Sequence, residues 1–201
     1  RPPPAAPPDA GSVAFTADRA SDILLVLALS NKHGVATFMT CGSLSWIVDD
    51  QVDEAGVPVL LDALLNLPGN FDRIGARLDN AALLHTAGVT IAFAGAGSHN
   101  ARKLRQVAGN AVSNGLPWDA ALAALTVNPA IIFGLQAGFG KIEPGSRADL
   151  VIWSGDPLEV TTAADQVIIG GQAVDMVSRQ TLLRDRYLQE NPALPRAYIK
   201  P

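Results

Sequence analysis

The sequence predicts an α/β protein built on a parallel sheet, and three observations carry that reading. A helix-like stretch that ends in glycine and runs at once into an apolar strand recurs as KHGVATFMT (32–40), EAGVPVLL (54–61) and TAGVTIAF (86–93). The strand segments VATFMTC, VPVLLDAL and VTIAFAGA are apolar nearly throughout, as strands covered on both faces are. Finally, 201 residues with 48% hydrophobic content and a mean hydropathy of +0.21 suffice for a domain with a sizeable core.

The elements follow in order. VAFTA (13–17) reads as the first strand. DRASDILLVLALSNKH (18–33) is a helix with Asp18 or Ser21 as its N-cap. Gly34 then supplies the positive φ that the residue after a helix adopts cheaply only as glycine. SLSWIVDDQVDEAG (43–56) places Leu44, Ile47, Val48, Val52 and Ala55 on one stripe, the pattern of an amphipathic helix. After a long loop, DNAALLHTAG (79–88) is a short helix starting at Asp79. Alternating strands and helices argue for a parallel sheet with its helices outside, without separating a barrel from an open doubly wound sheet.

Beyond residue 100 the texture changes. ARKLRQVAGNAVSNG (101–115) is a helix closed by Gly115, Pro117 opens a second and Pro129 a third, shorter one. From 138 onward the chain reads as strand and turn, and IIGGQAV as a hairpin with a Gly-Gly turn. The expected organisation is a Pro-rich tail at 1–12, a β/α layer at 13–135, a small β unit at 136–180 and a polar tail along the surface at 181–201.

Net charge is −4 and the isoelectric point about 5.2, which leaves no electrostatic footprint for nucleic acid or an anionic membrane. The longest apolar run, ILLVLAL (23–29), falls far short of the ~20 residues a spanning helix needs. One cysteine cannot form an internal disulfide, which fits a reducing compartment, the cytoplasm by default. RPPPAAPPDAG (1–11) lacks the apolar region and cleavage site of a signal peptide and favours an extended polyproline form. The absence of an initiator Met fits the later part of a longer chain.

The stretch ALTVNPAIIFGL…GFGKIEPGSRADLVIWSGDPLE (124–159) resembles the C-terminal signature of the metal-dependent amidohydrolase superfamily, its imidazolonepropionase-like branch in particular. The matching positions include Thr126, Asn128, Pro129, Gly140, Glu143, Pro144, Gly145, Asp149 and Asp156, with Ser146 where the family usually has Lys. The likeness runs upstream through RASDI (19–23) and covers nearly all of the chain between its two tails. It implies the later half of a TIM-like β/α barrel plus part of a small β-sandwich. It also implies one or two divalent metals, Zn or similar, at the C-terminal mouth of the barrel. There a metal lowers the pKa of bound water and polarises the C–N substrate, and a carboxylate on the last strand moves the proton.

By the same resemblance the family's ligands, two His and an Asp, fall on Thr16, Cys41 and Ala96. None is the expected residue, so the metal is expected to be missing from this chain. The expected function is hydrolysis of non-peptide carbon–nitrogen bonds of the cyclic amide type, on a small-molecule substrate, with a degenerate metal site. The alternative is a catalytically silent amidohydrolase-like subunit that supports or regulates an active partner. A half barrel leaves edges and a face open, so self-association or pairing with an intact amidohydrolase subunit is expected.

The candidate pocket is therefore Thr16, Asp18, Cys41, Ala96 and His99. Each has a plainer reading: Thr16 as strand material, Asp18 as a helix cap, Cys41 as an inert thiol, Ala96 as close packing, His99 as a loop residue. His99 follows the last strand on the side where barrels bind substrates. Paired with Cys41 it makes a nucleophilic hydrolase only if the two side chains meet. His33 and His85 sit in the last turns of helices, where a cation suits the dipole. Arg102, Lys103 and Arg105 read as a solvated face. Gly95-x-Gly97 also opens a weak dinucleotide fingerprint, undercut by Asn100 and by the absence of a following acidic strand end.

Overall fold

The computed structural model describes residues 12–95 and 98–188. Its first part is a four-stranded parallel sheet in sequential order: β1 (Val13–Ala17), β2 (Thr37–Cys41), β3 (Val59–Leu61) and β4 (Ile91–Phe93). The crossovers carry α1 (Ala20–His33), α2 (Asp49–Glu54) and α3 (Asn80–Ala87). This is the α/β class that the alternation predicts. Gly34 and Gly88 end α1 and α3 at φ 62° and 97°, as the repeated helix–glycine–strand pattern requires.

Register sorts the strand residues onto two faces. Phe15, Met39, Val59 and Ile91 lie in one row, and Met39, Val59 and Ile91 are buried beneath the helices with Ile23, Val52 and Leu84. The next row, Thr16, Thr40, Leu60 and Ala92, belongs to the opposite face because side chains alternate along a strand. Strand β1, which is not among the segments expected to be buried on both faces, is the edge of the sheet, and Val13, Ala14 and Thr16 are exposed.

The helix expected over 43–56 is instead a 3₁₀ turn (Ser45–Ile47) followed by α2 from Asp49. Side chains compete with the backbone here. The Ser45 hydroxyl donates to Gly42 O at 2.5 Å, and the Trp46 indole N–H donates to Gly75 O at 3.0 Å. Ile47 is half exposed, so the apolar stripe is broken as well.

After β4 come a 3₁₀ turn (Ser98–Lys103), α4 (Leu104–Ser113), α5 (Trp118–Leu125) and α6 (Val127–Ile132). Asn128, within α6, donates from Nδ2 to Ile91 O at 2.8 Å and so ties α6 to β4. A three-stranded antiparallel sheet follows: β5 (Leu150–Trp153), β6 (Ala164–Ile169) and β7 (Gln172–Ala173). Gly170 and Gly171 form the predicted turn, and Gly170 N–H donates to Asp149 Oδ1 at 2.6 Å.

The loop between β5 and β6 is bound to α4. Leu158 is buried in the same apolar cluster as the parallel sheet. Arg105 is not on a solvated face as expected: its guanidinium donates to the carbonyls of Pro157, Glu159 and Val160 at 3.3, 2.8 and 3.4 Å. It also stacks over the Trp153 ring at 5.0 Å. Trp118 adds its indole N–H to Asp156. The C-terminal tail opens as a helix, α7 (Arg179–Leu188), none of whose residues is buried. Ser178 and Thr181 cap it reciprocally: Thr181 N–H donates to Ser178 Oγ at 3.1 Å and Ser178 N–H to Thr181 Oγ1 at 2.8 Å.

Candidate functional site

The C-terminal ends of β1 and β2 and the loops that follow them hold the polar groups brought together by the fold. At the end of β2 the chain takes two left-handed residues in succession, Cys41 at φ 77° and Gly42 at φ 62°. Cys41 is the one non-glycine residue with positive φ among those described, a conformation that costs a residue bearing a Cβ about 1–2 kcal/mol. The turn brings Gly42 N–H onto Ala17 O at 2.9 Å and presents Gly42 O to two donors, Ser45 Oγ and Asn80 Nδ2. Asn80 is fully buried, and its Oδ1 has no hydrogen-bond partner.

Asp18 does not cap α1. The N-cap is Arg19, which makes no side-chain cap bond. Asp18 Oδ1 instead accepts from Ser43 Oγ at 2.6 Å and Ser43 N–H at 3.2 Å, while Arg73 Nε–H donates to Oδ2 at 2.9 Å. The ion pair is partly buried, with 15% of the Asp18 side chain and 26% of that of Arg73 exposed. Burial pushes the Asp18 carboxyl up, but the bonds from Ser43 and Arg73 together outweigh it and hold it below the usual carboxylate value. The bond to Asp18 keeps Arg73 above its ordinary value.

Thr16 and Thr40 face each other across β1 and β2, with Oγ1 atoms 2.8 Å apart. Thr40 Oγ1 also lies 3.2 Å from Phe15 O, to which it donates. Burial pushes the Cys41 thiol up from its ordinary value, and the nearby Asp18 carboxylate adds to this; the Arg73 guanidinium offsets only part. These influences disfavour the thiolate of Cys41, the form that attacks carbon.

The five expected pocket residues divide accordingly. Thr16, Asp18 and Cys41 gather at neighbouring strand ends, although Thr16 pairs in register with Thr40 and Cys41 with Ala17. Ala96 lies outside the described residues. His99 falls in the 3₁₀ turn Ser98–Lys103, and its side chain lies outside the described set, so its meeting with Cys41 is not on view. His33 and His85 do occupy the last turns of α1 and α3. Sequence reasoning misses Ser43, Arg73 and Asn80, which lie 25, 55 and 38 positions from the groups they bond and carry no local signal.

A model of the amidohydrolase family matches residues 19–177. The chain belongs to the amidohydrolase family. An imidazolonepropionase of Rhizorhabdus wittichii is 32% identical over 151 residues, spanning 69% of this chain and 38% of the relative. An amidohydrolase of Hapsidospora irregularis is 49% identical over 59 residues, 29% of this chain and 6% of that protein. The crystal structure of an amidohydrolase from Thermotoga maritima superposes with a TM-score of 0.76 at 30% identity, covering 82% of this chain and 43% of that one. A zinc-bound adenosine deaminase from Xanthomonas campestris gives 0.58 at 18% identity, which shows the fold alone; 88% of this chain and 49% of that one are covered. The chain thus spans less than half the length of each of these four relatives.

The family characteristically binds a divalent metal. Among the described residues no group of three or more His, Cys, Asp or Glu is arranged to hold one. At Thr16 and Cys41, the described positions onto which the resemblance carries family ligands, neither side chain is the imidazole it implies. Thr16 offers a neutral hydroxyl already bonded to Thr40, and Cys41 a single half-buried sulfur. Asp18, the nearest carboxylate, has both oxygens taken by Ser43 and Arg73. Among the described residues no helix is long and apolar enough to cross a membrane.

Proposed function

We propose that this chain is an amidohydrolase-family unit serving the hydrolysis of carbon–nitrogen bonds of the cyclic amide type, with a metal site of its own that has degenerated. On this reading the chain alone is silent and supports or regulates an intact amidohydrolase subunit that supplies the metal. The observation that carries the reading is the Thr16–Thr40 hydroxyl pair, which stands at a position where the family resemblance implies a metal-binding imidazole. A hydroxyl pair of this kind holds two strand ends together and neither moves a proton at neutral pH nor activates water. The likeness to an imidazolonepropionase, an enzyme named for a cyclic amide substrate, supports the substrate class.

The chain's own residues have structural work in this reading. Asp18 fixes the turn after β2 through Ser43 and the distant Arg73, so the strand ends keep a family-like geometry without an ion. The test is to supply the purified chain with Zn²⁺ or Mn²⁺ and offer it cyclic amides and dipeptides, alone and after co-expression with an intact amidohydrolase. The expected result is no turnover by the chain alone and its co-purification with the intact enzyme. Turnover by the chain alone that a chelator abolishes contradicts the proposal.

A further inference from the structure

We propose that residues 62–79, the connection from β3 to α3, form a latched strap that gates the ends of β1 and β2, with Asp18–Arg73 as the principal latch and Cys41 among the groups sheltered. The inference goes beyond the reading of a silent metal site, and it stands whether or not a partner supplies the chemistry.

The ends of the strap are anchored by burial. Ala63 and Asn66 are buried on the β3 side, and the fully buried Asn80 begins α3 on the other. The middle is held differently. Phe71 and Ile74 point outward with 87% and 68% of their surface exposed, so the strap's own large apolar side chains do not pin this part down, and Leu44 and Trp46 touch it at Gly75 and Arg77. Its fastenings are polar and long-range. Arg73 reaches Asp18, Arg19 Nε–H donates to Asp72 at 2.6 Å, and Gly75 O accepts from the Trp46 indole. A segment whose middle has few buried apolar contacts and is held by partly exposed polar bonds opens at a lower free energy than the core around it. Anchored ends with a polar clasp between them are the arrangement of a closing loop.

The clasp is joined to the turn that follows the thiol: Asp18, which Arg73 binds, also accepts from Ser43, two residues after Cys41. The charges that act on Cys41 are Asp18 on the β1 side and Arg73 and Asp62 on the strap, together with burial. Opening the strap therefore strips Cys41 of shelter and of the Arg73 charge at once. Because the chain has a single cysteine, that thiol is a built-in reporter of the gate.

The two effects have opposite signs, which makes a decisive experiment. In the 201-residue chain, Arg73→Met removes a cation that favours the thiolate; acting through charge alone, it slows labelling of Cys41. Acting through the latch, it speeds labelling. The rate is read with the neutral disulfide dithiodipyridine at one fixed, mildly alkaline pH, with circular dichroism confirming that the variant is folded. The expected result is acceleration of about ten- to hundredfold, the scale of losing a charge-assisted hydrogen bond. Added salt, which screens the exposed Arg19–Asp72 pair more than the partly buried latch, should speed the wild type and act less on Asp72→Asn. Asp72→Asn cuts only the exposed pair with Arg19 and cannot unfold the protein by exposing a buried charge; it should accelerate labelling about two- to fourfold. If Arg73→Met fails to fold, Asp72→Asn decides. Labelling that is slower or unchanged in the folded variants overturns the strap.

Discussion

Gly109→Ala tests how the loop between β5 and β6 is seated on α4, because two physical effects oppose each other there. A Cβ at this position would lie 2.5 Å from Leu158 O, 3.5 Å from its carbonyl carbon and 3.8 Å from its Cβ. The obstacle is backbone, so no rotamer relieves it. A carbon comfortably approaches a carbonyl oxygen to about 3.3 Å, so helix and loop must part by roughly 0.8 Å. That displacement falls on the loop whose Pro157, Glu159 and Val160 carbonyls Arg105 binds; two of those bonds are already 3.3 and 3.4 Å long. Overpacking costs about 1–3 kcal/mol, and a weakened Arg105 grip about 1 kcal/mol more. Against this, alanine gains about 1 kcal/mol over glycine inside a helix. The net expectation is a loss of about 2 kcal/mol, read as a lower urea midpoint with unchanged slope. For a chain of this size it corresponds to roughly 4–8 °C in Tm. An unchanged or stabilised variant is what helix propensity alone predicts, and it would refute the close seating of the loop.

Two further predictions concern the strand ends. Cys41→Gly should be more stable than Cys41→Ala by about 1–2 kcal/mol in denaturant titrations, because only alanine keeps a Cβ at φ 77°; equal stabilities contradict the left-handed turn. The Asp18 carboxyl is held below its ordinary value of 3.8, so its stabilisation is complete above that pH and is lost as pH falls through the depressed native value. The stability gap between wild type and Asp18→Asn should therefore stay level from neutrality to about pH 5 and narrow only in more acid solution. A gap that closes between pH 5 and 7 contradicts the Ser43 and Arg73 bonds.

The succession of strands and helices along the chain was legible because local signals repeat: a glycine after the helix, then an apolar strand, as Gly34 and Gly88 illustrate. Strand β1 and the glycine hairpin at 170–171 were legible for the same reason. The broken helix at 45–54 was not, because its geometry is set by Gly75 O reaching Trp46 from 29 positions away. Helix α7 had a readable start, the reciprocal Ser178–Thr181 pair, hidden within a stretch dominated by its polar, Pro-rich end. At the strand ends, family resemblance named Thr16 and Cys41, and position after the strand named Asp18. The partner that fixes Asp18, Arg73, comes from a loop without periodicity. Side chains paired over such separations leave no pattern in a single sequence, which is why the clasp emerges only from the fold.

The measurement that bears most directly on the account is a titration of the full chain with Zn²⁺ and Mn²⁺, by calorimetry, beside the Cys41→Ala and Thr16→Val variants. The account predicts the same weak, non-stoichiometric heats for all three proteins. One tightly bound ion per wild-type chain, lost in either variant, contradicts it.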